Sequence, residues 1–320
     1  MTEQRAATAA RDTAGALPPK AIPADTIPLV RALVDDAGLF PPTALDMTDA
    51  VARHRADDAA GHPVHTGRFL VPTSRVEELR QALRQGESVQ VGLIVDEPLG
   101  DLAALVTELS TDPRLRLAGI ELRLPAGDLA ESVASVQAAT QGTGAATFVE
   151  IPLAGAEAGV TAQALRAVHA AGLGAKVRCG GVTPELFPTA DELADFLVLA
   201  ADLGTAFKCT AGLHHAVRYV DERTGFQHHG VLDLLVAVLR ARAGAGREAV
   251  VEALTCDDGD ALATEARAAS EADQRAARAS FTAYGSCSTS TPVDDLVALG
   301  LTVPVAGPEL RDPERQLDHP

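Results

Sequence analysis

The chain has 320 residues, enough for one large domain or two ordinary ones, and its hydrophobic fraction of 47% excludes a wholly disordered protein. Its net charge of -17 disfavours nucleic acid and anionic membrane surfaces as partners, because phosphate groups repel such a chain. The four cysteines form no C-x-x-C pair, and the sequence has no recognisable signal peptide or membrane span, so we expect a cytoplasmic protein.

Eight short apolar runs follow one another along the chain, most of them separated by amphipathic segments with helical spacing. They span residues 32–40, 67–73, 88–96, 117–125, 146–153, 174–181, 205–212 and 280–288. This alternation predicts parallel strands joined by helices, and eight such strands favour an α/β fold, a closed (β/α)8 barrel of the TIM type. The first run fits a helix equally well.

The barrel is predicted to occupy residues 25–305 as a single domain. An Ala- and Pro-rich segment, residues 1–24, is expected to be a flexible leader, and residues 306–320 form a polar tail. No G-x-G-x-x-G motif follows an early strand, which argues against a dinucleotide-binding fold.

Lysine is rare in this sequence. The 27 basic residues include only three lysines, namely Lys20, Lys176 and Lys208. Arginine stays protonated, whereas a buried lysine amine can lose its proton and act as a base or nucleophile. Because Lys176 and Lys208 both lie in predicted strands, we expect them to be functional, with chance retention of lysine as the alternative.

Side chains alternate between the two faces of a strand, and the outward face of a barrel strand packs under helices and must be apolar. The polar residues of four consecutive runs therefore point inward: Glu121, Arg123, Glu150, Lys176, Arg178, Lys208 and Thr210. Buried charges cost several kcal/mol each unless they are paired. Their clustering near the carboxyl ends of the strands, where barrel active sites lie, predicts a functional site. Purely structural ion pairs are the alternative.

The two strand lysines suggest a chemistry. Lys176 and Lys208 lie on neighbouring strands, which are about 4.8 Å apart. Each charge disfavours the other and burial acts in the same direction, so one amine is expected to be neutral near pH 7 and able to form a Schiff base. Glu150 is placed to transfer protons, and Arg123 and Arg178 are placed to bind a carboxylate or phosphate.

The order of these motifs resembles class I aldolases of the deoxyribose-phosphate aldolase type. Strand six reads Lys176-Val-Arg-Cys-Gly180, strand seven reads Phe-Lys208-Cys-Thr-Ala-Gly212, and strand eight ends Tyr-Gly285-Ser286-Cys-Ser288. The resemblance implies that Lys176 forms the Schiff base, that Lys208 tunes it, and that Glu150 is the carboxylate of strand five. The segment 207–215, FKCTAGLHH, also resembles a motif of a bacterial family without an assigned function.

The segment 212–230 is predicted to be a long loop and carries four of the nine histidines, His214, His215, His228 and His229. Long barrel loops are commonly functional, so we expect this one to cover the mouth, where His214 or His215 reaches Lys208 and contacts the substrate. We expect no cofactor. The alternative is a divalent metal ion bound by one imidazole of each pair, such as His214 and His228, with a glutamate.

The turn after strand eight is a candidate anion site. Barrels commonly hold phosphate here, and the amides from Gly285 through Ser286 to Ser288 are placed to bind it. An ordinary capped turn, with Thr291 as the helix N-cap and Pro292 in the first turn, is an equal alternative.

Two further candidates for residues at the barrel mouth are Asp35 and Asp36, which lie in the first run. We expect Cys179, Cys209 and Cys287 to pack in the core.

Together these features predict an aldolase-like lyase that acts on a small anionic carbonyl compound through a lysine Schiff base at the carboxyl-terminal mouth of the barrel. Two alternatives stay open. One is a metal-dependent lyase or isomerase that uses the loop histidines, and the other is a non-catalytic barrel that binds an anionic metabolite. The sequence also leaves a homo-oligomer open.

Overall fold

Eight parallel strands close into one barrel in the computed structural model of the protein, which describes residues 25–304. The predicted fold class is therefore confirmed, and each predicted run contributes one strand. The predicted leader, 1–24, and tail, 306–320, lie outside the described residues. The barrel strands are β1 (Val34–Asp36), β2 (His65–Pro72), β3 (Val89–Val95), β4 (Leu115–Arg123), β5 (Thr147–Glu150), β6 (Gly174–Arg178), β7 (Phe207–Thr210) and β10 (Phe281–Ser286).

Two short strands, β8 (Tyr219–Val220) and β9 (Gln227–His228), form an antiparallel hairpin inside the segment predicted to be a loop. No helix within residues 25–304 is long and apolar enough to cross a membrane. The helices are α1 (Met47–Ala60), α2 (Val76–Ala82), α3 (Leu102–Leu109), α4 (Leu129–Thr140), α5 (Val160–Ala170), α6 (Ala190–Leu203), α7 (Val231–Arg242), α8 (Arg247–Thr255), α9 (Gly259–Ala268), α10 (Glu271–Ser280) and α11 (Ser290–Ala298).

The main core lies between the barrel strands and the helices. Val177, Cys179 and Cys209 face this layer and are fully or almost fully buried in it, as the alternation of strand side chains predicts. Burial of a side chain such as Val177 stabilises the fold by about 1.5–3 kcal/mol. The same alternation turns Lys176 and Lys208 toward the inside of the barrel.

The barrel closes between its first and last strands, and Arg278 of α10 fixes this seam. Its guanidinium donates to the carbonyl oxygens of Phe281, of Thr282 at 2.7 Å and of Ala32 at 2.9 Å, which lie at the start of β10 and just before β1. Burial lowers the pKa of Arg278 to about 10, so the group is still charged at neutral pH. The seam also sets the position of Asp35 in β1, which pairs with Gly285 of β10.

Replacing Arg278 with glutamine should lower the free energy of unfolding by about 2 kcal/mol, because the half-buried hydrogen bonds to Phe281 and Thr282 lose their charged donor, and a hydrogen bond to a charged group contributes about 1.5–3 kcal/mol. Urea unfolding followed by circular dichroism measures this change. The control is Arg275→Gln on the same helix, where an exposed arginine pairs with Glu271 and the change should be below about 0.5 kcal/mol. Equal stability of the two variants would show that Arg278 does not hold the seam.

Candidate active site

The register of four neighbouring strands brings the predicted site residues side by side. Arg123 of β4 lies beside Glu150 of β5, Glu150 beside Lys176 of β6, and Lys176 beside Lys208 of β7. Glu121 lies two residues before Arg123 and faces inward with it. The structure therefore places these five side chains on the inner wall, as strand parity predicts.

Glu121 is shared by both lysines. Its Oε2 lies 3.0 Å from the Nζ of Lys176, and its Oε1 accepts from the Nζ of Lys208. The carboxylate is 3% exposed, so both ion pairs form away from water. Lys208 also donates to Asp35 of β1, and Lys176 lies 3.4 Å from Oε2 of Glu150.

These contacts belong to a longer row in which the charges alternate. At its inner end, Asp35 accepts from Arg68 of β2 at 2.9 Å and from the hydroxyl of Thr66 at 2.6 Å. Each charge in the row has an opposite charge next to it, which is the condition under which buried ions are tolerated. From the inner end to the rim, the row runs Arg68, Asp35, Lys208, Glu121, Lys176, Glu150 and the pair Arg123 and Arg178.

The charges shift the ionisation of the shared carboxylate and of one lysine. Burial raises the pKa of Glu121, but Lys208 and Lys176 outweigh it and lower the pKa to about 2. Burial lowers the pKa of Lys208, but Asp35 and Glu121 outweigh it, so the pKa lies above the ordinary lysine value. Lys208 is therefore not the amine expected to be neutral, because a carboxylate lies between the two ammonium groups. The expectation that one of the two amines is neutral stays a prediction.

Two arginines flank Glu150 at the rim of the barrel. The Nε atoms of Arg123 and Arg178 lie 3.6 and 3.5 Å from the same oxygen, Oε1. The Arg123 side chain is 77% exposed and that of Arg178 is 32% exposed. Since each guanidinium carries five N–H donors, one carboxylate oxygen leaves them capacity to bind a further anion. Thr210, half-buried, ends β7 beside Arg178.

The segment 212–230 lies at the carboxyl-terminal end of the barrel. His228 packs against Phe187, which follows β6, with ring centroids 4.7 Å apart, and Nδ1 of His214 lies 3.6 Å from Sγ of Cys287, which follows β10. Burial and the neighbouring histidines lower the pKa of His214 to about 4, so its ring is neutral at pH 7. His215 contacts Asp295 of α11 at 2.9 Å.

These contacts bear on two expectations for the histidines. His214 contacts Cys287 and His215 contacts Asp295, whereas the ammonium group of Lys208 binds Asp35 and Glu121 inside the barrel. The expected contact of His214 or His215 with Lys208 stays a prediction. For the metal alternative, the rings of His214 and His228 lie 5.6 Å apart. Within residues 25–304, no three His, Cys, Asp or Glu side chains form a group that could hold a metal ion. A pair of imidazoles supplies fewer protein ligands than zinc sites use.

The hydroxyl groups of Ser286 and Ser288, at the end of β10 and in the turn after it, make hydrogen bonds within that turn. Ser286 Oγ donates to the carbonyl of Ser288 at 2.5 Å, and Ser288 Oγ accepts from the amide of Thr291 at 3.3 Å. Helix α11 begins at Ser290, so the expectation of Thr291 as N-cap is wrong: the helix starts earlier because the Ser288 hydroxyl receives that amide. These contacts favour the capped turn for the hydroxyls, and the anion site at the amides of Gly285 to Ser288 stays a prediction.

The sequence analysis did not identify Arg68 as a site residue, and it did not distinguish which of Asp35 and Asp36 faces the inside of the barrel. Phe69 and Val71 of β2 are buried outward, so the parity rule that located the lysines could also have placed Arg68 inside. The same rule separates the two aspartates. Asp35 points inward to Lys208, and Asp36 points outward, where Arg53 of α1 binds it at 2.5 Å.

No protein-family model and no curated protein matches the chain. Among solved structures, the aldolase QR15 is 15% identical with a TM-score of 0.42 and covers 58% of this chain and 83% of its own. A deoxyribose-phosphate aldolase from Aeropyrum pernix, the enzyme type that the motifs resemble, is 17% identical with a TM-score of 0.30 and covers 66% and 88%. A mandelate oxidase variant is 15% identical with a TM-score of 0.35 and covers 80% and 75%. These TM-scores lie below 0.5, so none of these likenesses assigns a function to this chain.

The replacement Glu121→Gln should lower the free energy of unfolding by about 3 kcal/mol at pH 7, the equivalent of lowering the carboxyl pKa from 4.5 to about 2. Because the folded pKa is lowered, the stabilisation is present above pH 4.5 and is lost as the pH falls toward 2. Urea unfolding of both proteins across this range measures the difference.

The control for this titration is Glu252→Gln, which removes an exposed carboxylate that pairs with Arg240 and should matter by less than about 0.5 kcal/mol. A stability difference between Glu121→Gln and the unmodified protein that does not shrink from pH 5 to pH 2 would contradict the shared ion pair.

Proposed function

We propose that this protein is a lyase of the class I aldolase type, which makes or breaks a carbon–carbon bond of a small anionic carbonyl compound through a Schiff base on Lys176. The observation that carries the proposal is the pair of buried lysines that share the carboxylate of Glu121, next to a second carboxylate and two arginines at the barrel mouth. A lysine amine, a proton carrier and an anion-binding rim are the groups that this chemistry requires.

Lys176 suits the nucleophile better than Lys208. Lys208 is 2% exposed, lies between the carboxylates of Asp35 and Glu121, and has a raised pKa, so it holds its proton. The Lys176 side chain is 6% exposed, and its second partner, Glu150, is 14% exposed. Lys208 then acts as a fixed cation that compensates the charge of Glu121 when Lys176 becomes neutral.

Glu150 is the proton carrier in the proposed reaction. Lys176 gives a proton to Glu150, and its free electron pair attacks the carbonyl carbon of the substrate. Glu150 then carries two protons in turn to the former carbonyl oxygen, the one taken from the ammonium group and a second from the nitrogen of the adduct. The oxygen leaves as water, and a protonated imine forms on Lys176. The distance of 3.4 Å between Nζ and Oε2 lets one carboxyl group serve both transfers with small side-chain movements.

The protonated imine then accepts the electron pair of the carbon–carbon bond that breaks. The Glu150 carboxylate takes the proton of the hydroxyl group on the neighbouring fragment, which leaves as an aldehyde or ketone. Glu150 protonates the carbon of the remaining enamine, and water hydrolyses the imine to release the second carbonyl product and Lys176. Arg123 and Arg178 hold the anionic group of the substrate at the rim and so orient its carbonyl carbon toward Lys176.

Borohydride reduction tests the nucleophile. With a small carbonyl compound such as pyruvate, sodium borohydride should add one reduced adduct to the protein, and peptide mass spectrometry should locate it on Lys176. Lys176→Arg keeps the positive charge but removes an amine that can become neutral, so adduct formation should fall by at least about a thousand-fold.

Lys208→Arg serves as the matched variant, because it keeps the partner of Glu121 and should reduce the adduct less than Lys176→Arg does. An adduct on Lys208, or an unchanged adduct in Lys176→Arg, would contradict the assignment. Loss of turnover in a chelator with no borohydride adduct would support the metal-dependent alternative. Binding of the anion without an adduct or turnover would support a non-catalytic barrel.

A further inference from the structure

The inner wall of the barrel has two chemically different halves. Strands β4 to β7 carry charged residues up to the rim. On the other side, the charged residues Asp35 of β1 and Arg68 of β2 form the inner end of the row, and the inward residues that follow Arg68 on β2 and those at the carboxyl end of β3 have no polar side-chain groups. Their outward neighbours Phe69, Val71, Val91, Leu93 and Tyr284 are buried under the helices, and alternation therefore turns the residues between them inward. This apolar wall consists of Leu70, Pro72, Gly92, Ile94, Ala283 and Gly285.

Leu70 fills the centre of the apolar wall between two glycines. A Cβ atom added to Gly92 would lie 2.5 Å from Cδ2 of Leu70, and one added to Gly285 would lie 2.9 Å from Cδ1. Side chains on these two positions would therefore displace Leu70. Above it, Pro72 and Ile94 are paired across β2 and β3 and are half-buried at the carboxyl-terminal end.

The six residues of the apolar wall have no polar side-chain group to offer a substrate hydroxyl, and Asp35, which lies beside Gly285, is fully buried and paired with Arg68 and Lys208. Its glycine backbones lie within the parallel sheet, where Gly92 is paired with Leu70 and Gly119, and Gly285 with Asp35 and Thr210. Ile94 of β3 lies beside Glu121 of β4, so the apolar wall borders directly on the charged row. A molecule bound at Lys176 thus meets charge on one side and hydrocarbon on the other.

We infer that the substrate is a short-chain carbonyl compound with one anionic group and an alkyl chain, and not a polyhydroxylated sugar. This inference rests on the proposed function, since it places the carbonyl group at Lys176 and the anion at Arg123 and Arg178. The alkyl chain then lies against Leu70, Pro72 and Ile94. A hydroxyl group in the same place gives up its bonds to water without a replacement, which costs about 1–3 kcal/mol.

A matched pair of 2-oxo acids tests the inference. 2-Oxopentanoate and 5-hydroxy-2-oxopentanoate differ by one hydroxyl at the end of the chain. Because the hydroxy acid also closes to a five-membered hemiketal, the two are compared at equal concentrations of the open-chain ketone, determined by NMR. We expect 2-oxopentanoate to form the borohydride adduct with at least about tenfold higher efficiency, because a hydrophobic pocket discriminates against an added hydroxyl by up to about a hundredfold. The rise in thermal unfolding temperature with each compound, without borohydride, should show the same order.

Ile94→Thr keeps the branch at Cβ, places a hydroxyl on the wall and removes the terminal methyl group, and it should reduce the preference at least about fivefold. Val95→Thr is the control, because Val95 is the next residue of the same strand and packs outward against the core. It should leave the preference unchanged. Leu70→Ala should extend the range to longer or branched alkyl chains, and this supplies a second readout if Ile94→Thr does not fold.

The two measurements separate the inference from the function on which it rests. Equal adduct formation and equal thermal protection by the two acids would overturn the apolar substrate class while leaving the Schiff base intact. Preferential thermal protection by 2-oxopentanoate without any adduct would support the apolar wall and contradict the Schiff base on Lys176. A preference that Val95→Thr alters as strongly as Ile94→Thr would also overturn the inference.

Discussion

Glu121 binds the ammonium groups of both buried lysines, and the charge state of the row inside the barrel depends on this one shared carboxylate. Without it, Lys176 and Lys208 would face each other across neighbouring strands, and like-charge repulsion and burial would both favour a neutral amine. With it, Lys208 stays charged and the repulsion is compensated. In the proposed reaction, Lys176 becomes neutral by giving its proton to a neighbour, and Glu150 is the carboxylate at the exposed end of the row.

Strand parity explains how much of this arrangement the sequence could predict. A polar residue between two apolar ones in a barrel strand must face inward, which located Glu121, Glu150, Lys176 and Lys208 without coordinates. Parity gives the face of a strand but not the rotamer, so the sharing of Glu121 by two lysines could not be predicted. The raised pKa of Lys208 depends on this sharing and was not predictable from the strand pattern.

Contacts between segments that are far apart in the sequence could not be predicted either. The contacts of His215 with Asp295 and of His214 with Cys287 join residues that are 80 and 73 positions apart, and no local sequence pattern predicts them. The same holds for Arg278, whose position at the barrel seam depends on where α10 packs. Strand type and direction were predictable because alternating apolar runs determine them locally.

The most direct test of the shared carboxylate is a pH titration of the lysine side chains by NMR in protein labelled with 15N-lysine. The sequence contains only three lysines, Lys20, Lys176 and Lys208, so each ammonium signal can be assigned by single substitution. We expect Lys208 to keep its proton above the ordinary lysine pKa of about 10.4, and to lose it at lower pH in Glu121→Gln. Loss of the Lys208 proton below pH 10 in the unmodified protein would contradict the account.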